Sequence, residues 1–177
     1  MNLGDEKMIS KTLEKAINKQ INEELFSAYL YTSMQAWFAD ENLDGMANWM
    51  KSQSQEEHYH AMKFFNYLIE RGGKVELEAI AKPEIDFDNP LKAFQAALEH
   101  ERHITKCIND MMDLAIAEND HASKIFLQWY VEEQVEEEDS VDGIVQRLAM
   151  LGDHMHGLFM LDRELSSRTF EWPEEED

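Results

Sequence analysis

The sequence predicts an all-α fold: a four-helix bundle with one long crossover between the second and third helices and a short fifth helix near the C-terminus. Three observations predict it. Helix breakers are scarce, with 7 Gly and 3 Pro in 177 residues. Leu, Ala, Met, Glu and Gln, which lose little on entering a helix, are plentiful. The segments between helical stretches read as short turn, long crossover, short turn, the connection pattern of such a bundle. The chain length fits one core, expected over residues 1–170, with an acidic tail over 171–177.

The first helix is expected from about residue 5 to residue 40, a stretch with no Gly or Pro after Gly4. Asp40-Glu41-Asn42 makes a polar break. The second helix starts near Leu43 and Asp44 and stops at Gly72-Gly73, which supply a C-terminal stop. Residues 74–88 carry Pro83 and only weak periodicity, so they read as the crossover. Asn89-Pro90 then places an N-cap before a Pro at the first helical position. The third helix runs to about Glu118, and Asn119-Asp120 turns the chain. The fourth runs to about Leu151, where Gly152 and Asp153 break it. An apolar run over residues 157–165 makes the fifth.

Asp and Glu number 37 against 16 Lys and Arg, a net charge of −21. Such a surface repels nucleic-acid phosphates and anionic membranes, and it draws cations. The single cysteine, Cys107, excludes an intrachain disulfide and a Cys-rich zinc or iron–sulfur site; it reads as a small apolar side chain. No run approaches 18 uninterrupted apolar residues, and residues 1–7 hold no apolar run of signal-peptide length. The expected location is the cytoplasm.

The chemistry lies in acids that fall on apolar stripes. The first helix carries a stripe through Ile17, Ile21, Ala28 and Tyr31, and Glu24 points into it. On the second, Glu57 and His60 interrupt Met50, Ala61, Phe64 and Leu68. On the third, Glu101 sits within Phe94, Ala97, Leu98, Ile104, Ile108 and Met112. On the fourth, Gln134 and Glu137 sit within Leu127, Val131, Val141, Ile144 and Leu148. Four ionised carboxylates buried together repel one another and lose hydration. No Lys or Arg occupies these stripes near them, so a cation must come from outside. Two divalent ions carry the four positive charges needed, and His60 adds a neutral nitrogen. Oxygen-rich ligands with one imidazole suit iron or manganese. Di-metal carboxylate bundles use a Glu from each of two helices and a Glu-x-x-His from each of the others. Three helices fit that plan; the fourth reads Gln134-x-x-Glu137. Only Glu57 is then placed to bridge two metals, so one of them is expected to be held loosely and to move on after oxidation.

Three stretches resemble the prokaryotic non-haem ferritins: Asn22-Glu23-Glu24-Leu25-Phe26-Ser27-Ala28-Tyr29-Leu30-Tyr31, Gln55-Glu56-Glu57-His58-Tyr59-His60-Ala61, and the run from Phe126 to Glu138. The resemblance covers about residues 8–170. It implies a ferritin-like bundle that stores iron and oxidises Fe(II) to Fe(III) with O2 or H2O2 at a di-iron ferroxidase centre. The first iron would use Glu24, Glu57 and His60; the second Glu57, Glu101 and Glu137, with Gln134 nearby. Tyr31 would hydrogen-bond beside the pair and supply an electron. A third iron position would use Glu56, Glu133, Glu136 and Glu137, with Glu132 and Glu138 left as a solvated acidic face. The resemblance also implies a homo-oligomeric shell of 24 subunits without a nucleic-acid or membrane partner. Haem is not expected: where the haem-binding relatives carry Met, this chain has His58, read as an exposed polar residue. Glu137 departs from the animal heavy chains, which have a small residue there. Lys124 and Leu127 stand where animal shells carry acidic channel residues. The other histidines, His100, His103, His121, His154 and His156, show no ligand pattern. A rubrerythrin-like peroxidase is the rival, but that family carries a rubredoxin-type four-Cys site, excluded by the single Cys107, and a second Glu-x-x-His, absent from the fourth helix. A metal-free helical module would leave the four acids uncompensated.

Overall fold

A computed structural model describes residues 9–172, and all the regular structure among them is helical. Residues 1–8 and 173–177, including most of the expected acidic tail, lie outside the described residues. The helices are α1 (Lys11–Asp40), α2 (Asp44–Glu70), α3 (Pro90–Ala117), α4 (His121–Leu151) and α5 (Met155–Leu165). Two expected starts shift. α1 begins at Lys11 rather than near residue 5, because Ser10 Oγ caps it by accepting from the Leu13 N–H at 3.1 Å. α5 begins at Met155, two residues before the expected apolar run.

α1, α2 and α3 end on the same device. Asn42, Gly72 and Asn119 adopt φ of 59°, 72° and 56°, and the next residue's N–H returns to a carbonyl of the last turn: Leu43 to Phe38, Gly73 to Leu68, Asp120 to Ala115. Asn89 caps α3 as expected, accepting from Lys92 N at 2.9 Å. α2 has no side-chain cap of its own. Asp162 of α5 supplies one, its Oδ1 accepting from Met46 N at 2.8 Å. The approach is so close that a Cβ on Gly45 would stand 1.7 Å from the Asp162 carbonyl oxygen.

α1 packs along α2 and α3 along α4. The crossover runs beside α1 in the same direction: Asn18 donates to the Lys74 carbonyl at 2.9 Å, and Ser33 to the Glu84 carbonyl at 2.7 Å. It thereby carries the chain back along the bundle, so α3 runs parallel to α2.

The core has two apolar clusters. One gathers Met34, Phe38, Met46, Trp49, Met50, Phe94, Val141 and Leu148. The other gathers Leu13, Ile17, Phe64, Leu68, Ile104, Ile108, Leu127 and Tyr130. Every helix of the bundle passes from one cluster to the other, and each crosses a buried polar stretch on the way. Three stripe positions differ from expectation. Ala28, Met112 and Val131 are half-buried, and Ser27, Met111 and Tyr130 beside them point inward.

Candidate metal centre

The polar layer brings together Glu24 from α1, Glu57 and His60 from α2, Glu101 from α3, and Gln134 and Glu137 from α4, all buried. Periodicity dictates the arrangement: each residue replaces one apolar position of its helix stripe, about halfway between the two clusters. Two groups have ligand atoms within 4.8 Å of one another, Glu24 with Glu57 and His60, and Glu57 with Glu101 and Glu137. Glu57 is common to both. Among the described residues, no Lys or Arg pairs with any of the four carboxylates.

The electrostatics follow from that crowding. Burial holds the Glu24 carboxyl well above its ordinary range, and repulsion from Glu57 adds to the rise. Burial and Glu101 do the same to Glu57. Burial, Glu101 and Glu57 do so to Glu137. Burial also raises Glu101, against opposing hydrogen bonds from Tyr31 and Gln134. Glu24 Oε2 is buried without a hydrogen-bond partner. An orphaned oxygen facing other acids is a position that a cation would satisfy.

The remaining lone pairs are held by neutral donors. Tyr31 Oη donates to Glu101 Oε1. Gln134 Nε2 donates to Glu101 Oε2 at 3.2 Å and lies 3.3 Å from Thr105 Oγ1. Two further amides, Gln20 and Gln53, belong to this layer and escaped the sequence reading. Gln20 Nε2 donates to Glu24 Oε1 at 2.8 Å. Gln53 Nε2 donates to Glu137 Oε2 at 2.6 Å and to Glu57 Oε1 at 3.3 Å. The signal was available: each Gln precedes its helix's metal-facing Glu by four residues, one turn away on the same face.

His60 faces two ways. Its Nδ1 is 3.5 Å from Glu57 Oε2, and its Nε2 is 4.0 Å from Glu133 Oε1. The carbonyl of His60 accepts from Tyr130 Oη at 2.8 Å. On the Nε2 side, Glu56, His60, Glu133 and Glu137 form a third group with ligand atoms within 4.8 Å. Glu136 is exposed and stands outside it. Glu56 already has a partner, because Arg168 Nη2 donates to its Oε2 at 2.6 Å. His58 is exposed, its ring against Trp172.

The chain is similar to known proteins along most of its length. The sequence pattern of the ferritin-like domain family matches residues 14–151. The chain is 43% identical over 161 residues to a bacterial non-heme ferritin of Bacteroides fragilis, covering 91% of this chain and 100% of the relative. It is 36% identical over 164 residues to a bacterial non-heme ferritin of Staphylococcus aureus, covering 93% and 99%. Among solved structures, an open-pore ferritin from the hyperthermophilic archaeon Archaeoglobus fulgidus superposes with a TM-score of 0.90 at 48% identity, covering 91% of this chain and 99% of that one. A humanized archaeal ferritin superposes at 0.92 and 47% identity, covering 93% and 99%.

Proposed function

The chain belongs to the ferritin family, and on that premise we propose how its buried layer handles iron. The protein is an iron-storing ferroxidase: it oxidises Fe(II) to Fe(III) inside the bundle and passes the product to a mineral held within a multi-subunit shell. The observation that carries this reading is Glu57. It is the one carboxylate shared by two buried ligand groups that otherwise take different acids.

Two Fe(II) enter as substrate. Glu24, Glu57 and His60 hold one; Glu57, Glu101 and Glu137 hold the other. Their four positive charges offset the four carboxylates, which then ionise despite burial. Each Fe(II) gives up one electron. O2 takes both, with two protons, and leaves as H2O2; alternatively H2O2 takes both, with two protons, and leaves as two waters. The pair now carries two more positive charges than the carboxylates supply. Bound waters therefore lose protons, and oxo-bridged Fe(III) is released toward the store. Tyr31, hydrogen-bonded to Glu101, orients that ligand.

Gln134 adds no charge, and its amide nitrogen is spent on Glu101. With Gln134 where the symmetric plan has a second bridging Glu, the two irons share one carboxylate, Glu57, instead of two. That favours a transit site over a resident cofactor. A third iron position would use Glu56, Glu133 and Glu137, with the exposed Glu136 outside the group. The reading includes a shell of 24 copies and a cytoplasmic location. No helix among the described residues is long and apolar enough to cross a membrane.

The test joins size-exclusion chromatography to an iron-oxidation assay at stepped Fe(II)-to-subunit ratios. A shell-sized particle should oxidise two Fe(II) per subunit in a fast phase, and the phase should recover after the ferric product moves on. Two irons that stay bound and cycle through many turnovers would contradict the transit reading.

A further inference from the structure

We propose that Glu23, His103 and Cys107 form a separate metal site, suited to a borderline-soft divalent ion of the Zn(II) class. His103 and Cys107 are one turn apart on α3, so their side chains share a face. Glu23 on α1 meets them. Its Oε2 lies 3.0 Å from His103 Nε2, and Cys107 Sγ lies 3.6 Å from the same nitrogen. One ligand atom from each residue falls within 4.8 Å of the others.

The spacing matches a single tetrahedral ion. With Zn–S near ~2.3 Å and Zn–N near ~2.0 Å, the sulfur and nitrogen of one site stand about 3.5 Å apart. The observed 3.6 Å needs almost no adjustment. Three protein ligands leave a fourth position for water, because the His103 side chain is 49% exposed and Glu23 20%. Glu23 Oε1 is engaged by Lys19 at 3.7 Å, which leaves Oε2 turned toward His103.

The donor set differs in kind from the buried layer. Sulfur and imidazole favour zinc-like ions over Fe(II), whereas an oxygen-rich set with one imidazole favours iron. Seating the ion replaces the thiol proton of Cys107, so one proton leaves for each ion bound. Cys107 also lines a groove between α1 and α3, of about 210 Å³, whose lining includes Gln20. Gln20 in turn holds Glu24.

Co(II) is the probe, added without oxygen to the intact assembled protein. Cys107 is the one cysteine in the sequence, so thiolate-to-Co(II) charge-transfer absorption reports this site and is silent on the carboxylate layer. The band should rise, saturate at one Co(II) per chain and bleach when Zn(II) is added. It should vanish in Cys107→Ser. In His103→Ala its midpoint should move to at least ~10-fold higher Co(II), the loss expected when a metal site gives up a partner. Absence of the band in the unsubstituted protein would overturn the proposal without reference to any variant. So would a band whose midpoint is unmoved in both His103→Ala and Glu23→Gln, because the cysteine would then be binding alone.

Discussion

The polar layer at mid-bundle and the two apolar clusters that flank it are built by the same four helices, yet their energetics run in opposite directions. In the cluster around Phe38, Trp49 and Phe94, burial removes apolar surface from water and packs rings tilted or edge-to-face at 5.3 to 5.5 Å. Every contact there favours folding. In the layer of Glu24, Glu57, Glu101 and Glu137, burial costs free energy until a cation arrives. The clusters thus hold the layer in a geometry that it would not adopt by itself. A site prearranged in this way needs little reorganisation when iron binds.

The largest expected effect breaks the supporting side of the comparison. Phe94→Ala should cost about 3–5 kcal/mol of stability, because Phe94 is fully buried between Phe38 and Trp49. Denaturant unfolding would measure it. The fast oxidation phase per folded subunit should survive, since no ligand is removed. Next comes the layer itself. Glu57→Ala removes the carboxylate shared by both ligand groups. The fast phase should slow by at least ~100-fold, the upper end for losing a residue that supports a metal site. Stability of the metal-free protein should fall far less than in Phe94→Ala. Equal losses of stability in the two variants would erase the distinction drawn between the regions.

The third prediction concerns pH. The four carboxyls have folded-state values raised above the ordinary 4.5. The metal-free folded chain then holds protons more tightly than the unfolded chain. Its stability from these groups is full below 4.5 and is lost as pH rises through the raised values. His100 works in the opposite sense. Burial lowers it to about 4 from 6.5, so its contribution is full above 6.5 and is lost as pH falls toward 4. Melting of chelator-treated protein should therefore drop as pH climbs above 4.5 through the raised carboxyl values, with His100 offsetting part of the drop only below 6.5. Saturating Fe(II), added anaerobically, should flatten that drop. An unchanged slope with metal would mean that the carboxylates are not the groups responsible.

How much of this was legible in the sequence depends on how conspicuous each residue is on its own helix. A lone acid in an apolar stripe stands out, so Glu24, Glu57, Glu101 and Glu137 could be found from periodicity, and the crossover from Pro83 and Asn89-Pro90. Gln20 and Gln53 did not stand out, because a neutral amide on a stripe offends no strong rule, although both sit one turn before their Glu. The start of α1 was blurred because residues 5–10 offer several polar candidates for a cap, and only the Ser10 to Leu13 bond selects one. His103 and Cys107 showed no ligand pattern because their partner, Glu23, lies on another helix. Spacing along one chain segment reports one helix face; it says nothing of what a second helix brings opposite.

The smallest expected effect sharpens the comparison at the edge of the layer, where a protein cation stands in the place proposed for iron. Arg168 Nη2 holds Glu56 at 2.6 Å, and its guanidinium lies 4.4 Å from the centre of the Trp49 ring. Its backbone carbonyl is anchored by Asn48 at 2.8 Å and Ser52 at 3.2 Å. Unlike the four inner acids, Glu56 therefore has its countercharge built in, and an ion at the third position must displace it. Both side chains are about one-fifth exposed, which limits the pair to roughly 0.2–1 kcal/mol. Arg168→Gln should accordingly tighten the weakest Fe(II)-binding step by about 2- to 5-fold, the fold-change equivalent to the upper part of that range. Anaerobic calorimetric titration would resolve it, with the two tighter steps serving as internal reference. A third step that weakens or stays put would remove Glu56 from the ligand set, and would leave Arg168 as a brace that fastens the segment after α5 to α2.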